Sequence, residues 1–212
     1  MNRASFSTSD LPVDNLLAGN AHLLLAEQVT LASGATYKRG SVLGKRTLGS
    51  ASATFAGTGN GTLTLDATTP LLAGAKKGAY TATCIAAATN SGTFRVEDPT
   101  GVVIGDVAVG ATFADQIKFV IADGGTDFVV GDKFTITVAA GTGQAVLSAA
   151  AAVDGSAEPD LVLAEDVDAT SAAQAAMAYK RGDFNGSALT IGAGHTVASV
   201  AEALRSKGIA IL

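Results

Sequence analysis

The tetrapeptide Tyr-Lys-Arg-Gly stands at residues 37–40 and again at 179–182, and between the two copies the texture of the chain changes and then changes back. From Thr47 to about residue 146 the sequence is a series of short β runs divided by Gly, Asp and Pro: GTLTLDA, AYTATCIAAA, GTFRVEDPTG, VVIGDVAVG, DQIKFVIADGG and DKFTITVAAG. Before and after it stand strand-like segments of another kind, AHLLLAEQVTLA and ATYKRGSVLGK in front, PDLVLAEDVDAT and AYKRGDFNGSALTIG behind. Matched segments on both sides of a foreign block read as one domain interrupted by another. The expectation is a discontinuous unit of residues 19–46 and 147–212 carrying an insert at 47–146. The two flanks together are long enough to form a small domain. Each tetrapeptide would run from a strand into a turn and end on a glycine free to take positive φ.

Within the block, Phe94 and Val96 alternate with polar neighbours, as do Phe134, Ile136 and Val138. A period of two is that of half-buried strands, and six such runs in succession predict an antiparallel β-sandwich. Residues 1–18 are polar, contain Pro12 and have no apolar period, which reads as an extended arm. At the other end Val197, Val200, Ala201 and Leu204 mark one face of a short helix. Thr196 is its expected N-cap, Ser199 and Glu202 offer a capping box in an alternative register, and Gly208 is the expected stop before a last strand, IAIL. The fold class is therefore mainly β with one C-terminal helix.

Composition narrows function. Aromatic residues make up only 5% of the 212, with no Trp and 25 Gly, so a core of small and β-branched side chains is expected. The formal charge of −5 is spread over both parts of the chain and argues against a nucleic-acid surface, which needs concentrated Lys and Arg. Cys84 is the one cysteine, so neither an intrachain disulfide nor a thiolate metal site can form, and Cys84 is expected inside the sandwich as a small hydrophobe. The opening MNRASFSTSDLPVDN has no apolar signal core and no apolar run reaches membrane-spanning length, so synthesis in a cytoplasm and no membrane partner are expected.

No constellation for chemistry stands out, and neither an enzyme nor a cofactor is expected. His22 and His195 have no His, Cys or HExxH partners nearby and read as structural. GTGNGT at 57–62 lacks the Lys and helix of a phosphate loop and reads as a turn. Asp123, Asp127 and Asp132 do not follow the spacing of a Ca²⁺ loop and read as Asp-Gly turn chemistry, so no metal is assigned.

The outer segments, GATYKRGSVLGK, PDLVLAEDVDAT and AYKRGDFNGSALTI with the helix-then-strand ending, resemble the lambda-type head decoration proteins of tailed phages. The resemblance implies a β-tulip or barrel-like unit that forms homotrimers. These sit at threefold and quasi-threefold positions on the outer surface of the expanded capsid, bind the major capsid protein and stabilise the shell. It also implies an N-terminal capsid-binding arm, for which Arg3, Phe6, Leu11, Pro12 and Val13 are the residues in question. Given trimers, Lys38, Arg39, Lys180 and Arg181 could face Glu165, Asp166 and Asp168 across subunits and fix their register; the alternative is two ordinary solvated turns. The block has the character of the Ig-like domains on phage surface proteins, with at most a weak contact to host glycans. The rival reading is a cell-surface adhesin or glycan-binding module in which the sandwich does the work.

Overall fold

The computed structural model describes residues 15–212. The front flank gives β1 (Leu25–Leu31), β2 (Thr36–Tyr37) and β3 (Val42–Lys45). The block gives β4 (Leu48–Ala56), β5 (Thr62–Leu65), β6 (Gly78–Ala88), β7 (Ser91–Glu97), β8 (Val103–Ala108), β9 (Thr112–Ala114), β10 (Lys118–Ala122) and β11 (Lys133–Ala140). The rear flank gives β12 (Ala145–Leu147), β13 (Leu161–Leu163), β14 (Val167–Asp168), β15 (Gln174–Phe184), α1 (Val197–Arg205) and β16 (Ile209–Ile211).

Strands from the two flanks close on one another. The order β1-β12-β3-β13-β15 returns to β1 through an antiparallel ladder from Leu25↔Arg181 to Leu31↔Gln174, giving a five-stranded barrel with β16 added parallel to β15. Its interior is filled by Val29, Leu31, Leu43, Ala145, Leu161, Leu163, Ala176 and Ala178, the inward positions of strands whose alternate residues point out. Closure removes the exposed edges that an open sheet of this size would present. On the outside of the wall, Val42, Val162 and Phe184 pack with Leu16, Ile209 and the α1 residues Val200 and Leu204 in a second cluster. The chain is thus anchored from Leu16 onward: Leu17 bridges Phe184 and the Leu16 carbonyl accepts from Asn185 N at 2.9 Å.

Two local expectations are corrected, and the expected Thr196 cap is met. The run beginning at Ala21 is not strand throughout, because Asn20 takes a left-handed conformation (φ 48°) and residues Ala21–Leu23 form a single 3₁₀ turn before β1 starts. The capping box takes the Thr196 register: Thr196 Oγ1 accepts from Ser199 N, and Ser199 Oγ accepts from Thr196 N. The second Tyr-Lys-Arg-Gly is not strand-to-turn. It lies inside β15, where Gly182 (φ 147°) pairs with Ile209 and lets the strand continue along β16.

The block's strands pair only among themselves, all antiparallel, in a five-stranded sheet β4-β11-β6-β7-β8 and a three-stranded sheet β5-β10-β9. Both sheets feed one core: Tyr80, Ala82, Cys84, Phe94, Val96, Phe134, Ile136 and Val138 from the larger, Phe113, Phe119 and Ile121 from the smaller. Each of the six runs read as strands contains one. Cys84 is 1% exposed, and burial pushes its thiol pKa up. The expectation of a core almost without rings fails here, because six of the chain's eight Phe are concentrated in this block. Phe55, Phe94, Phe128 and Phe134 meet at centroid separations of 4.7 to 5.9 Å.

Candidate functional site

The two tetrapeptides occupy opposite sides of the barrel wall. Tyr37 is 5% exposed within the barrel-side cluster and its hydroxyl donates to the Ala32 carbonyl at 2.9 Å; burial pushes its pKa up. Tyr179 packs on the outer cluster with its ring 5.4 Å from Phe184. Between Lys38 and Ser41 the chain turns through Gly40 at φ 83°, where an added Cβ would lie 2.8 Å from the Ala188 carbonyl oxygen, so only glycine fits this turn.

Lys38, Arg39 and Lys180 of the two copies find acceptors inside the same chain. Lys38 Nζ lies 3.1 Å from Asp166 Oδ2, while the Arg39 backbone N–H donates to Asp166 Oδ1 at 2.7 Å and Arg39 Nε to the Ala164 carbonyl. The Arg39 amide, and then the Lys38 ammonium, hold the Asp166 carboxyl below its usual range. Glu165 accepts from Met177 N, and Asp168 accepts from the Thr170 N–H and hydroxyl, which lowers its pKa. Arg181 lies exposed, opposite Leu25 in the ladder. The structure therefore brings Lys38, Arg39 and Asp166 together and leaves Glu165 and Asp168 on local backbone.

Lys180 belongs to a network that sequence spacing does not suggest. Lys180 and Lys45 flank Glu27 at 3.2 and 3.1 Å; Lys45 also reaches Asp160 at 3.1 Å, and Asp160 reaches Lys207 at 3.1 Å. Lys207 Nζ in turn donates to the Pro159 carbonyl at 2.7 Å. The chain of charges joins β15, β1, β3, the 158–160 loop and the end of α1. No signal in the sequence pairs residues 153 positions apart; the barrel register does it. Lys45, then Lys180, hold Glu27 below its usual pKa. Asp160 ends lowered as well, burial pushing it up and the Lys45 and Lys207 contacts pulling it further down.

Depressed carboxylates contribute stability that is present above their unfolded pKa and is lost as pH falls through the folded one. Thermal melts from pH 7 downward are therefore expected to show the wild-type advantage over Glu27→Gln intact near neutrality and shrinking below about pH 4.5, the ordinary value of this carboxyl. An advantage independent of pH down to pH 2 would show that the pairs contribute nothing.

Among the other sequence-marked residues, His195, Asp127 and Asp132 have structural partners, whereas the buried Oδ1 of Asp123 has none. His195 Nε2 lies 3.0 Å from the Ala157 carbonyl and 3.2 Å from Ser148 Oγ, and the Ser148 hydroxyl, in a fully buried residue, itself donates to Ala157 O. His22 sits exposed in the 3₁₀ turn. Asp132, 2% exposed, accepts from the backbone N–H groups of Thr58, Gly59 and Val129 at 2.8, 3.0 and 3.0 Å, and so holds the GTGNGT loop. Asp127 accepts from Asn90 N. Among the described residues no three His, Cys, Asp or Glu side chains gather as metal ligands, and no helix is long and apolar enough to cross a membrane. Arg3, Phe6, Leu11, Pro12 and Val13 lie outside the described residues.

A closed barrel, a Phe-rich pair of sheets and one short C-terminal helix define a mainly β protein. The family of bacteriophage lambda head decoration protein D matches residues 6–209, and the chain belongs to that family. It is accordingly a phage head decoration protein, associated with the virion capsid. No curated protein matches the chain. Two crystal structures of Xanthomonas campestris FlgL overlap 50% and 47% of it, at 23% and 22% identity and a TM-score of 0.30 each, a likeness too slight to define a shared fold. The overlap spans 34% and 31% of those FlgL chains, about a third of their length.

Proposed function

We propose that the chain decorates the outer surface of an expanded phage head as a homotrimer at threefold and quasi-threefold positions, where it ties neighbouring copies of the major capsid protein together. The observation that carries this reading is the family match along nearly the whole chain, joined to a barrel built from both flanks. The two flanks that build the barrel, from Leu16 to residue 46 and from Ala145 to the end of the chain, are the trimerising base, and the residues before Leu16, with Arg3, Phe6, Leu11, Pro12 and Val13, are the capsid-binding arm. An arm of this kind binds by adding backbone hydrogen bonds to a sheet of its partner, which demands little of its sequence. Three weak arms on one trimer act together, because the first contact makes the others effectively intramolecular. Shell rupture then requires breaking these contacts as well as those between capsomers.

Residues 47–144 form the inserted sandwich, which projects away from the shell. Strands β4–β11 pair with none of the barrel's, which supports a separate unit, while β12 already belongs to the barrel and moves the rear boundary of the insert to just before Ala145. Every aromatic ring among the described residues is buried or half-buried, so the insert offers no exposed platform for stacking on a sugar, and a structural role is favoured over glycan binding. In the trimer, Lys38, Arg39, Lys180 and Arg181 stand near the acids of a neighbour, Glu165, Asp166 and Asp168, and bias register through charge while keeping their partners within the chain.

Mixing the purified protein with undecorated expanded heads and imaging them by cryo-electron microscopy is expected to show threefold-symmetric density at every local threefold, with the insert outermost. Deleting residues 1–14 is expected to abolish that density and leave a folded, trimeric protein. Monomers that ignore the heads would overturn the proposal.

A further inference from the structure

We infer that the insert is carried rigidly, in one fixed orientation on the barrel, and that residues 152–157 are the strap that locks it. The inference rests on the two-unit reading above and concerns the junction between the units. Both crossings of the chain lie side by side there: Arg46 N donates to the Gln144 carbonyl, Gly143 N to the Arg46 carbonyl and Gly141 N to the Thr47 carbonyl, each at 2.9 Å. A flexible linker would leave such backbone groups to water, whereas these form a short ladder that resists twisting.

The strap crosses this ladder. The Asp154 carbonyl accepts from the N–H groups of both Thr47 and Leu48 at 2.9 Å, and its carboxylate stands 3.1 Å from Arg46 Nε. The same carboxylate accepts from Ser156 N at 3.0 Å and from its hydroxyl at 2.5 Å, which fixes the turn that presents the carbonyl. Gly155 sits in that turn at φ 91°, against Thr47. Just before Asp154, Val153 packs against the insert's own core cluster, as do Leu48 and Ala75.

The far end of the strap is tied to the barrel side. Ala157 O is held by Ser148 Oγ and His195 Nε2, at the start of α1, and Pro159 O by Lys207 Nζ, just beyond its end. A continuous path therefore runs from the helix through residues 157–153 into the apolar core of the insert. A rotation of the insert about its crossings has to withdraw Val153 and break the paired bonds to Asp154, so intermediate orientations are disfavoured. The consequence is that three inserts on one trimer would stand at fixed mutual angles.

Residual dipolar couplings of the full chain, in its native assembly, test this directly. One alignment tensor is expected to fit the amides of β4–β11 and those of the barrel together. In the double variant Val153→Ser/Asp154→Ala, which changes residues that are only partly buried, the single-tensor fit is expected to be lost, with a smaller alignment for the insert and both sets of amides still dispersed. Gly155→Val, acting on the same turn by crowding Thr47, is expected to reproduce that loss. Two tensors in the wild type, or one tensor surviving in all variants, would overturn the strap. Failure of the two-unit reading shows separately, in native-state hydrogen exchange of the wild type, as a single cooperative opening shared by the amides of β4–β11 and of the barrel.

Discussion

Asp132→Ala is expected to destabilise the insert by about 3 kcal/mol, the cost of leaving several backbone donors without their acceptor near a core. The carboxylate is 2% exposed and serves Thr58, Gly59 and Val129 at once, while its own N–H and carbonyl bond Val129 O and Cys84 N. Removing it frees the loop whose Gly57, Gly59 and Gly61 lie against the Phe55 and Phe128 rings. Asp132→Asn keeps the shape but offers a single carbonyl oxygen, and about half the loss is expected. Hydrogen exchange locates the effect: amides of β6, β7 and β11 lose protection and those of β1 and β15 keep theirs. A change under about 1 kcal/mol would mean that water replaces the carboxylate without penalty. Burial alone would raise the Asp132 pKa, but the three amides bring it below the ordinary value, so this stability is present at neutral pH and fades as acid protonates the group.

Phe184→Ala is expected to cost about 3–5 kcal/mol, the range for emptying a fully buried aromatic site. The side chain is 0% exposed and fills the outer cluster between the barrel wall and α1. Its neighbours come from both ends of the described chain: Leu16 and Val42 from the front, Val162, Val200, Leu204 and Ile209 from the rear. The substitution is therefore a probe of whether the flanks make one unit. Calorimetry is expected to split into an early transition for the barrel and a later one for the insert, the reverse of the Asp132→Ala order. A single transition lowered by the same amount for both parts would show that barrel and insert unfold together.

Much of this architecture is legible in the residues. Alternation at Phe94/Val96 and Phe134/Ile136/Val138 marks strands because a buried sheet face demands a period of two, and all five side chains are 2% exposed or less. The end of the chain is legible for the same kind of reason: Thr196 caps, and Val200 and Leu204 bury one face of α1. β4 is not legible, since LGSASATFA has few branched or aromatic residues and is strand chiefly because Ala51–Ala56 pair with β11. β9, three residues long, is too short to show a period.

The charged residues divide in the same way. The pairing of Lys38 with Asp166 joins two segments already singled out by their charges, but Glu27, Lys45 and Lys207 carried no mark of their own. The network they form exists because closure of β1 onto β15 sets Glu27 opposite Ala178, within reach of Lys180, and because β3 brings Lys45 to its other side. Local pattern thus settled which stretches are strand and helix and where the texture of the chain turns over, since those depend on neighbours a few residues away. Which flank strand closes the ring, which acid meets which base, and how a strap from the rear flank grips the crossings were decided only in three dimensions, because each depends on the register between segments that are not neighbours in the sequence.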